Sequence, residues 1–314
     1  MTGYLAPTNK VRVADFARKK ADGEKWAMLT AYDYSTARVF SQAGIECLLV
    51  GDSAANVVYG YDTTNQVSVD EMAFLGAAVV RGAGNALVIM DLSFGSYEAS
   101  DEQCVRTATN LISRTGAHMV KLEGGVRIAR RIRALKNAGL AVCAHVGFTP
   151  QSVDNLSGFK VQGRDAGADA LREDVHAVVE AGADMVVFEM VPADLATELT
   201  ASCPVPVVGI GAGAGTDAQV LVWHDMADFP AGDHRAKFVR RFGTVGQDLQ
   251  LPPQSTSRRC TWASSPAPST RFSQRGLLPQ PGRYPAAGLR PPSPPPAAGR
   301  GRCSRRAVRR GPAR

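Results

Sequence analysis

Four acidic residues each stand at the end of a short apolar run, and this repeated pattern constrains the fold of the chain. They are Asp52 in LLVGDS, Asp91 in LVIMDL, Glu123 in MVKLEGG and Glu189 in MVVFEMV. Apolar runs of this length are typical of buried strands, and a helix-like segment precedes each of them. Carboxylates that end successive parallel strands meet at one mouth of an α/β barrel. Because clustered carboxylates repel one another, we expect a cation, or a substrate that needs a base, at their centre.

Candidate strands and helix-like segments alternate along most of the chain. Strands are predicted at Trp26–Ala31, Cys47–Val50, Leu87–Met90, Met119–Leu122, Ala141–Ala144, Met185–Phe188, Val207–Ile210 and Val220–Trp223. Helices are predicted at Val11–Lys20, Tyr34–Ala43, Val69–Arg81, Asp101–Thr115, Val126–Ala138 and Asp169–Ala181. This alternation over about 220 residues favours an α/β fold of the (β/α)8 TIM-barrel type. The competing doubly wound sheet usually has a glycine fingerprint after its first strand, and LTAYDYS has none.

Two loops after the later strands are candidates for ligand contact. The segment Gly209–Gly215, GIGAGAG, follows the seventh predicted strand, where glycines let a backbone approach a ligand closely or simply form a tight turn. The segment Gly147–Gly167 follows the fifth strand and is too polar and glycine-rich for a helix. Long ordered loops on the catalytic face of a barrel often act as lids, so we expect this loop to border the site.

The last 64 residues differ in composition from everything before them. From Leu251 onward the chain has thirteen Arg and thirteen of its nineteen Pro, but no Lys, Asp or Glu. The formal charge is therefore −6 over the first 250 residues and +13 over the rest. We predict a catalytic domain over residues 1–250 and a disordered Arg/Pro-rich tail over 251–314, because such a composition cannot bury a core.

Cysteine usage and hydropathy point to a cytoplasmic enzyme. The six cysteines show no CxxC or other metal-type spacing, and Cys47 and Cys143 lie inside apolar runs, where small core residues are expected. The N-terminal segment has no apolar stretch of the signal-peptide type. No segment approaches the ~20 apolar residues of a membrane span.

Local motifs then narrow the function. TAYDYSTA, LLVGDSAANVVYGYDTT, MDLSFGSY, MVKLEGG, HVGFTPQSV, GFKVQGR, FEMVP and GIGAGAGTDAQVLVWHDM occur in this order. Together they closely resemble the ketopantoate hydroxymethyltransferase (3-methyl-2-oxobutanoate hydroxymethyltransferase) family, over roughly residues 11–246. The resemblance implies a barrel of the phosphoenolpyruvate/pyruvate type. It also implies transfer of a hydroxymethyl group from 5,10-methylenetetrahydrofolate to 3-methyl-2-oxobutanoate, which yields 2-dehydropantoate for pantothenate biosynthesis.

The resemblance further implies one divalent metal per subunit, usually Mg²⁺. Asp52 and Asp91 match the metal-ligand positions, where they also meet the substrate, and Glu123 supports the metal, with water as one route. The chemistry agrees, because a 2-oxo acid presents a carboxylate and an adjacent carbonyl that together chelate a hard cation. The structural alternatives are a helix N-cap for either aspartate and an ion pair with Lys121 for Glu123.

The remaining site residues are also assigned through the resemblance. Glu189 matches the general base, and its apolar flanks favour a carboxylate partly withdrawn from water. Lys121 and Ser53 match contacts to the substrate carboxylate, and His145 is expected to line the site. The alternatives are a structural ion pair for Glu189 and a hydrogen-bonded core position for His145. Tyr32 and Asp33, in TAYD, are interpreted as turn residues outside the site.

The chain also departs from the family pattern. The family often has LPF at Leu92-Ser93-Phe94 and GAGN at Gly213-Ala214, and its members are typically decamers. We expect a homo-oligomer. The resemblance fades near residues 245–250, which weakens the expectation that this oligomer is a decamer. The abrupt loss of Lys and acidic residues is typical of a shifted reading frame in GC-rich DNA, a hypothesis that resequencing would test.

Three other functions compete with this prediction. The first is a lyase or mutase of the same barrel superfamily acting on a related 2-oxo acid, against which the specific loop motifs argue. The second is non-specific nucleic-acid binding through the Arg-rich tail, which has no recognition module. The third is a folded but inactive member of the family. Small-molecule substrates, and neither membranes nor nucleic acids, are the expected partners.

Overall fold

Eight parallel strands close into a barrel whose neighbours follow chain order, in the computed structural model of the protein. The structure describes residues 9–156, 158, 160–165, 167–229 and 236–250, so the predicted tail lies outside the described residues. The strands are β1 (Trp26–Thr30), β2 (Cys47–Val50), β3 (Leu87–Asp91), β4 (Met119–Glu123), β5 (Val142–Gly147), β6 (Met185–Glu189), β7 (Val207–Ile210) and β8 (Ala218–Leu221). The predicted TIM barrel is confirmed.

Helices follow the strands and form the outer layer. They are α1 (Val13–Ala21), α2 (Tyr34–Gln42), α3 (Ala54–Val57), α4 (Val69–Gly82), α5 (Asp101–Thr115), α6 (Val126–Asn137), α7 (Gly167–Glu180), α8 (Ala193–Ser202), α9 (Trp223–Met226) and α10 (Val245–Leu249). Short 3₁₀ turns occur at Thr64–Gln66 and Pro150–Ser152. None of the helices in the described ranges is long and apolar enough to cross a membrane.

Side chains along each strand alternate between the barrel interior and the helix layer. In β4, Met119, Lys121 and Glu123 share one face, and Val120 and Leu122 share the other. Met119 packs in the interior cluster, whereas Val120 and Leu122 pack with the helices. Among the interior-facing residues, those near the N-terminal ends of the strands are apolar, and those near the C-terminal ends are polar. The apolar interior residues include Cys47, Leu49, Leu87, Ile89, Met119, Cys143, Met185, Val187 and Val208.

The N-terminal helix closes the apolar end of the barrel. Phe16 of α1 is fully buried in the interior cluster, and its ring centroid lies 4.3 Å from that of Trp26. Burying a side chain of this size contributes about 1.5–3 kcal/mol. Substrates are therefore expected at the opposite, polar end.

Most predicted elements are present, with differences at two places. The eighth strand was predicted two residues late, because Trp223 opens α9, where its backbone N–H donates to Thr30 Oγ1 at 3.0 Å. The helix α8 was not predicted, and α4 ends at Gly82, which allows close packing on the Tyr34 carbonyl of α2. Cys47 and Cys143 are buried free thiols, as predicted.

Candidate active site

A cavity of about 110 Å³ opens at the C-terminal ends of the strands. It is lined by all seven residues predicted for the site, namely Asp52, Ser53, Asp91, Lys121, Glu123, His145 and Glu189. A larger cavity of about 490 Å³ lies between the β5–α7 loop and α6, but none of the four strand-end acids lines it. We therefore take the smaller, charged cavity as the candidate active site.

Strand register places the charged residues side by side. Asp91 of β3 is paired with Lys121 of β4, and Glu123 of β4 is paired with His145 of β5. Because all four side chains point into the barrel interior, neighbours in the ladder become ionic partners. The arrangement therefore follows from the alternation within each strand and from the closed barrel.

Asp52 and Asp91 form the first part of the site. The backbone N–H of Asp52 donates to Asp91 Oδ2 at 2.9 Å, and the Gln151 amide donates to Asp52 Oδ2 at 2.9 Å. Both carboxylates are buried. Burial, together with the negative charges of Asp91 and Glu123, raises the pKa of Asp52 well above its usual range. Asp52 is thus a buried carboxyl group that forms no ion pair with any of the described residues.

Lys121 supplies the positive charge beside this pair. Its Nζ lies 2.5 Å from Asp91 Oδ1 and 3.9 Å from Glu123 Oε1. Burial alone would lower the pKa of Lys121, but the charges of Asp91, Glu123 and Asp52 outweigh burial and raise it. The ammonium group therefore stays charged inside the cavity.

Glu123, His145 and Glu189 form the second part of the site. His145 Nδ1 lies 3.2 Å from Glu123 Oε1, and His145 Nε2 lies 3.3 Å from Glu189 Oε2. These are ionic contacts, since neither nitrogen meets the geometry of a hydrogen bond among the described residues. Burial lowers the pKa of His145, but Glu123 and Glu189 outweigh it and raise the pKa to about 9. Burial raises the pKa of Glu123, but His145 and Lys121 lower it overall.

Backbone geometry fixes the position of Glu189. Met190, the next residue, has φ of +48°, which is uncommon outside glycine. Hydrogen bonds from Met190 N–H to the Ile210 carbonyl and from Gln162 N–H to the Met190 carbonyl hold this conformation. Gly147 lies alongside, with φ of +91°, and any Cβ there would collide with the Glu189 carbonyl oxygen. The side chain of Glu189 is 17% exposed, more than those of the other three acids.

Ser53 and Tyr32 border the cavity on the β1–β2 side. Their hydroxyl oxygens are 2.8 Å apart, and either group could donate. Burial raises the pKa of Tyr32, so its phenol stays protonated. Tyr32 was excluded from the site at the sequence level, and the structure places it in direct contact with Ser53. Asp33 caps α2 by accepting from the Ser35 and Thr36 N–H groups, as expected of a turn residue.

Gln151 is the central residue that the sequence did not single out. Its amide donates to Asp52 and to the Leu92 carbonyl, its Oε1 accepts from Tyr97 Oη at 2.5 Å, and its backbone N–H donates to Glu123 Oε2 at 3.0 Å. Gln151 thereby joins both parts of the site. Its presence in the GFTPQS motif was a signal, but the motif does not say which of its residues turns inward.

The donor set fits a hard divalent cation such as Mg²⁺. No group of three His, Cys, Asp or Glu side chains within the described ranges is arranged to hold a metal ion. Glu123 instead faces His145 and Gln151, which leaves the two aspartates. Mg²⁺ is commonly bound by one or two carboxylates, several waters and substrate oxygens. Asp52 and Asp91 are therefore the described residues that could hold such an ion.

Similarity to solved structures defines the class of fold. The structure of phosphoenolpyruvate phosphomutase from Streptomyces platensis subsp. rosaceus matches with a TM-score of 0.55 at 14% identity, over 79% of this chain and 87% of that chain. The structure of 2,3-dimethylmalate lyase, a PEP mutase/isocitrate lyase superfamily member, matches with a TM-score of 0.52 at 17% identity, over 83% and 92%. These similarities show that the chain shares the eight-stranded barrel fold of these two structures.

Sequence comparison then identifies the family. The family model described as ketopantoate hydroxymethyltransferase matches residues 10–254, so the chain belongs to that family of transferases. The 3-methyl-2-oxobutanoate hydroxymethyltransferase of Corynebacterium jeikeium (strain K411) is 65% identical over 248 residues, which are 79% of this chain and 88% of that protein. The protein of the same name from Mycolicibacterium vanbaalenii is 57% identical over 261 residues, or 83% and 93%.

Proposed function

We propose that the chain transfers a hydroxymethyl group to 3-methyl-2-oxobutanoate in pantothenate biosynthesis. The donor is 5,10-methylenetetrahydrofolate, and the products are 2-dehydropantoate and tetrahydrofolate, with one water supplying the hydroxyl oxygen. The chain is 65% identical to a protein named 3-methyl-2-oxobutanoate hydroxymethyltransferase, and this identity supports 3-methyl-2-oxobutanoate as the acceptor. Family membership favours this activity over that of a lyase or mutase with the same barrel.

The contact between Glu189 and His145 in the cavity is the observation that carries the proposal. The reaction needs a base that removes a proton from a carbon next to a carbonyl. His145 Nε2 lies 3.3 Å from Glu189 Oε2, so the imidazole holds the carboxyl group at the mouth of the cavity. Val187, Ile210, Val220 and Val222 supply an apolar wall to the same cavity, which suits the branched carbon chain of the acceptor.

In this mechanism Glu189 removes the C3 proton of the oxo acid. The C3–H electron pair attacks the methylene carbon of the donor and forms a new C–C bond. Both C–N bonds of that carbon break, the nitrogens of tetrahydrofolate take up protons, and water supplies the hydroxyl group. His145 keeps the Glu189 carboxylate in place and carries a compensating charge before the proton moves. The 17% exposure of the Glu189 side chain leaves it reachable from the mouth of the cavity.

Lys121 and Ser53 are proposed to hold the acceptor carboxylate. Lys121 brings a permanent positive charge into a cavity rich in carboxylates, and only a negatively charged group would compete for it. Ser53 can donate its hydroxyl proton when Tyr32 donates to Ser53 Oγ. The acceptor is then fixed with C3 facing Glu189.

Asp52 and Asp91 would hold a divalent cation, for which Mg²⁺ is proposed. When bound, such an ion supplies Lewis acidity that makes a proton next to the carbonyl easier to remove. Lys121 Nζ donates to Asp91 Oδ1, and the Gln151 amide donates to Asp52 Oδ2, so both carboxyl groups are oriented. Glu123 is proposed to support the cation from behind, with water as the link.

We also propose a cytoplasmic homo-oligomer with small-molecule substrates. Exposed apolar side chains such as Phe74, at 73%, and Val39, at 60%, support contact between copies. The net charge of −6 over the first 250 residues gives no attraction for nucleic acid in that part of the chain. Light scattering of the full chain would test the oligomeric state.

The decisive experiment measures 2-dehydropantoate formed from 3-methyl-2-oxobutanoate and 5,10-methylenetetrahydrofolate with Mg²⁺. Glu189→Gln should lower turnover by about 10²–10⁴-fold. Glu180→Gln, on the exposed face of α7, is the matched control and should retain activity. A chain ending at Gln250 tests whether the tail contributes to turnover. No product from the full chain would overturn the proposed function.

A further inference from the structure

The glycine-rich loop after β7 contains one glycine that packing within the barrel does not explain. A Cβ on Gly209 would meet Thr216, one on Gly213 would meet Ala193, and one on Gly215 would meet Thr197. These three glycines are therefore required for close packing of the loop against its own neighbours. Gly211 differs, because what it faces is the ring of Phe238 in the segment that follows α9.

Phe238 lies flat enough on the Gly211 backbone to leave no room for a side chain there. A Cβ on Gly211 would lie 2.8 Å from Phe238 Cδ1 and 3.0 Å from its Cε1. Gly211 also has φ of +61°, so both its conformation and this contact favour glycine. Nevertheless Phe238 remains 40% exposed, so it is a partly open aromatic ring rather than a core residue.

This ring packs just beyond the C-terminal end of β7, the strand end that borders the candidate active site. Ile210, the last residue of β7, lines the cavity and pairs with Glu189 in the barrel. Gly211 is the next residue, so the Phe238 ring contacts the chain one residue beyond a residue that lines the cavity. A partly exposed aromatic ring beside a catalytic cavity is a platform on which a flat ring can stack.

The cavity itself is too small for both substrates of the proposed reaction. At about 110 Å³ it is well below the roughly 300–1,000 Å³ of pockets that hold drug-sized ligands. It suits a small branched oxo acid, but a bicyclic pterin with its aminobenzoyl-glutamate tail must lie outside, with its one-carbon unit at the mouth. The donor must therefore find its contacts on the rim.

We propose that Phe238, seated on Gly211, is the stacking platform for the pterin ring of the one-carbon donor. The inference rests on the proposed function and adds a donor subsite to it. Its chemistry is non-polar stacking of a flat heteroaromatic ring on a phenyl face, next to the carbon that Glu189 activates. Phe238 is a binding residue in this account and takes no part in proton transfer.

Kinetic constants of Phe238 variants test the subsite. Stacking of a heteroaromatic base on an aromatic side chain is worth at least about fivefold in affinity. Phe238→Ala and Phe238→Leu should therefore raise the KM for 5,10-methylenetetrahydrofolate by at least about fivefold, and Phe238→Tyr should restore it. Phe242→Ala is the matched control, since Phe242 is a more exposed ring in the same segment and packs under Arg240.

Deuterium exchange at C3 of the oxo acid separates this inference from the proposed function. Exchange in D2O requires the base and the acceptor but no donor, so the wild type and Phe238→Leu should exchange alike. Normal exchange with an unchanged donor KM in Phe238→Leu would overturn the subsite alone. Absence of exchange in the wild type would overturn the proposed function and the subsite with it. If Phe238→Ala lowers the melting temperature, the donor KM values of the Leu and Tyr variants test the subsite instead. Both side chains fill the space of Phe238, but only Tyr has an aromatic face for stacking.

Discussion

His145 and His224 are both buried near the C-terminal end of the barrel, yet their surroundings have opposite effects. His145 is 2% exposed and lies between two carboxylates, which raise its pKa to about 9. His224 is 6% exposed and packs against rings, with centroids 3.9 Å from Trp223 and 5.5 Å from Phe229. Burial lowers the pKa of His224 to about 4, despite an opposing contribution from Asp33.

The difference shows that burial alone does not decide whether a buried group carries charge. At the barrel mouth, Lys121 and His145 each lie within contact distance of carboxyl groups. Among the described residues, His224 instead packs against the rings of Trp223 and Phe229 and forms no ion pair, so burial favours the neutral imidazole. Tyr32 touches both regions, since its hydroxyl meets Ser53 and its ring packs 5.5 Å from His224.

The largest expected effect follows from removing the buried cation of the charged region. Lys121→Met leaves Asp91 and Glu123 without their ammonium partner, and breaking a buried pair in this way costs about 3–5 kcal/mol of unfolding free energy. Lys136→Met is the control, because its ion pair with Asp184 is partly exposed and is worth less than about 1 kcal/mol. Urea unfolding of both variants without divalent ions provides the measurement. Equal losses would contradict the account.

The two imidazoles should titrate at opposite ends of the accessible pH range. In a histidine-labelled NMR titration, His145 is expected to be cationic at neutral pH and to lose its proton near pH 9. His224 is expected to stay neutral until about pH 4. Variants lacking one histidine assign the signals. A neutral His145 at pH 7 would contradict the effect that the account assigns to its two carboxylate neighbours.

The aromatic region should make stability sensitive to acid. Because the folded-state pKa of His224 is lowered, the unfolded chain takes up a proton at a pH where the folded chain does not. His224 therefore contributes stability above its ordinary pKa of about 6.5, and this is lost as the pH falls toward 4. His224→Leu should flatten that part of the stability curve, as followed by thermal melting from neutral to acidic pH. Curves of the same shape would argue against a neutral buried imidazole.

The smallest expected effect on the unfolding free energy comes from replacing Ser93, a buried residue with an uncharged polar side chain. Its hydroxyl is 1% exposed and has no hydrogen-bond partner among the described residues. Removing it in Ser93→Ala should raise the unfolding free energy by up to about 1 kcal/mol. Ser68→Ala should instead lower it by about 1 kcal/mol, because Ser68 accepts from Glu71 N–H and caps α4. A loss in both variants would mean that Ser93 has a partner.

Much of the fold was predictable because local pattern and architecture agree. Apolar runs predicted all eight strands to within three residues, and the alternation within each strand placed Asp91, Lys121 and Glu123 on the interior face. The eighth strand was predicted two residues too late, because the short helix α9 begins at Trp223. The helix α8 was not predicted, because its apolar periodicity is weak.

The candidate site residues could be named from the sequence where they lie in a strand or directly after one, or within a motif that resembles the family. Gln151 lies in a loop and reaches Asp52 across 99 residues of sequence, and Tyr32 lies 21 residues from Ser53. Such contacts depend on how loops fold over the mouth, which no local periodicity encodes. The pairing of His145 with two acids likewise required the strand register.

The measurement that most directly tests the central claim is exchange of the C3 proton of 3-methyl-2-oxobutanoate in D2O, followed by NMR with Mg²⁺ and without donor. Glu189→Gln should slow the exchange by about 10²–10⁴-fold relative to the wild type. His224→Leu, in the aromatic region, should exchange at the wild-type rate. Exchange in Glu189→Gln at the wild-type rate would show that another group removes the proton, and would contradict the assignment of Glu189 as the base.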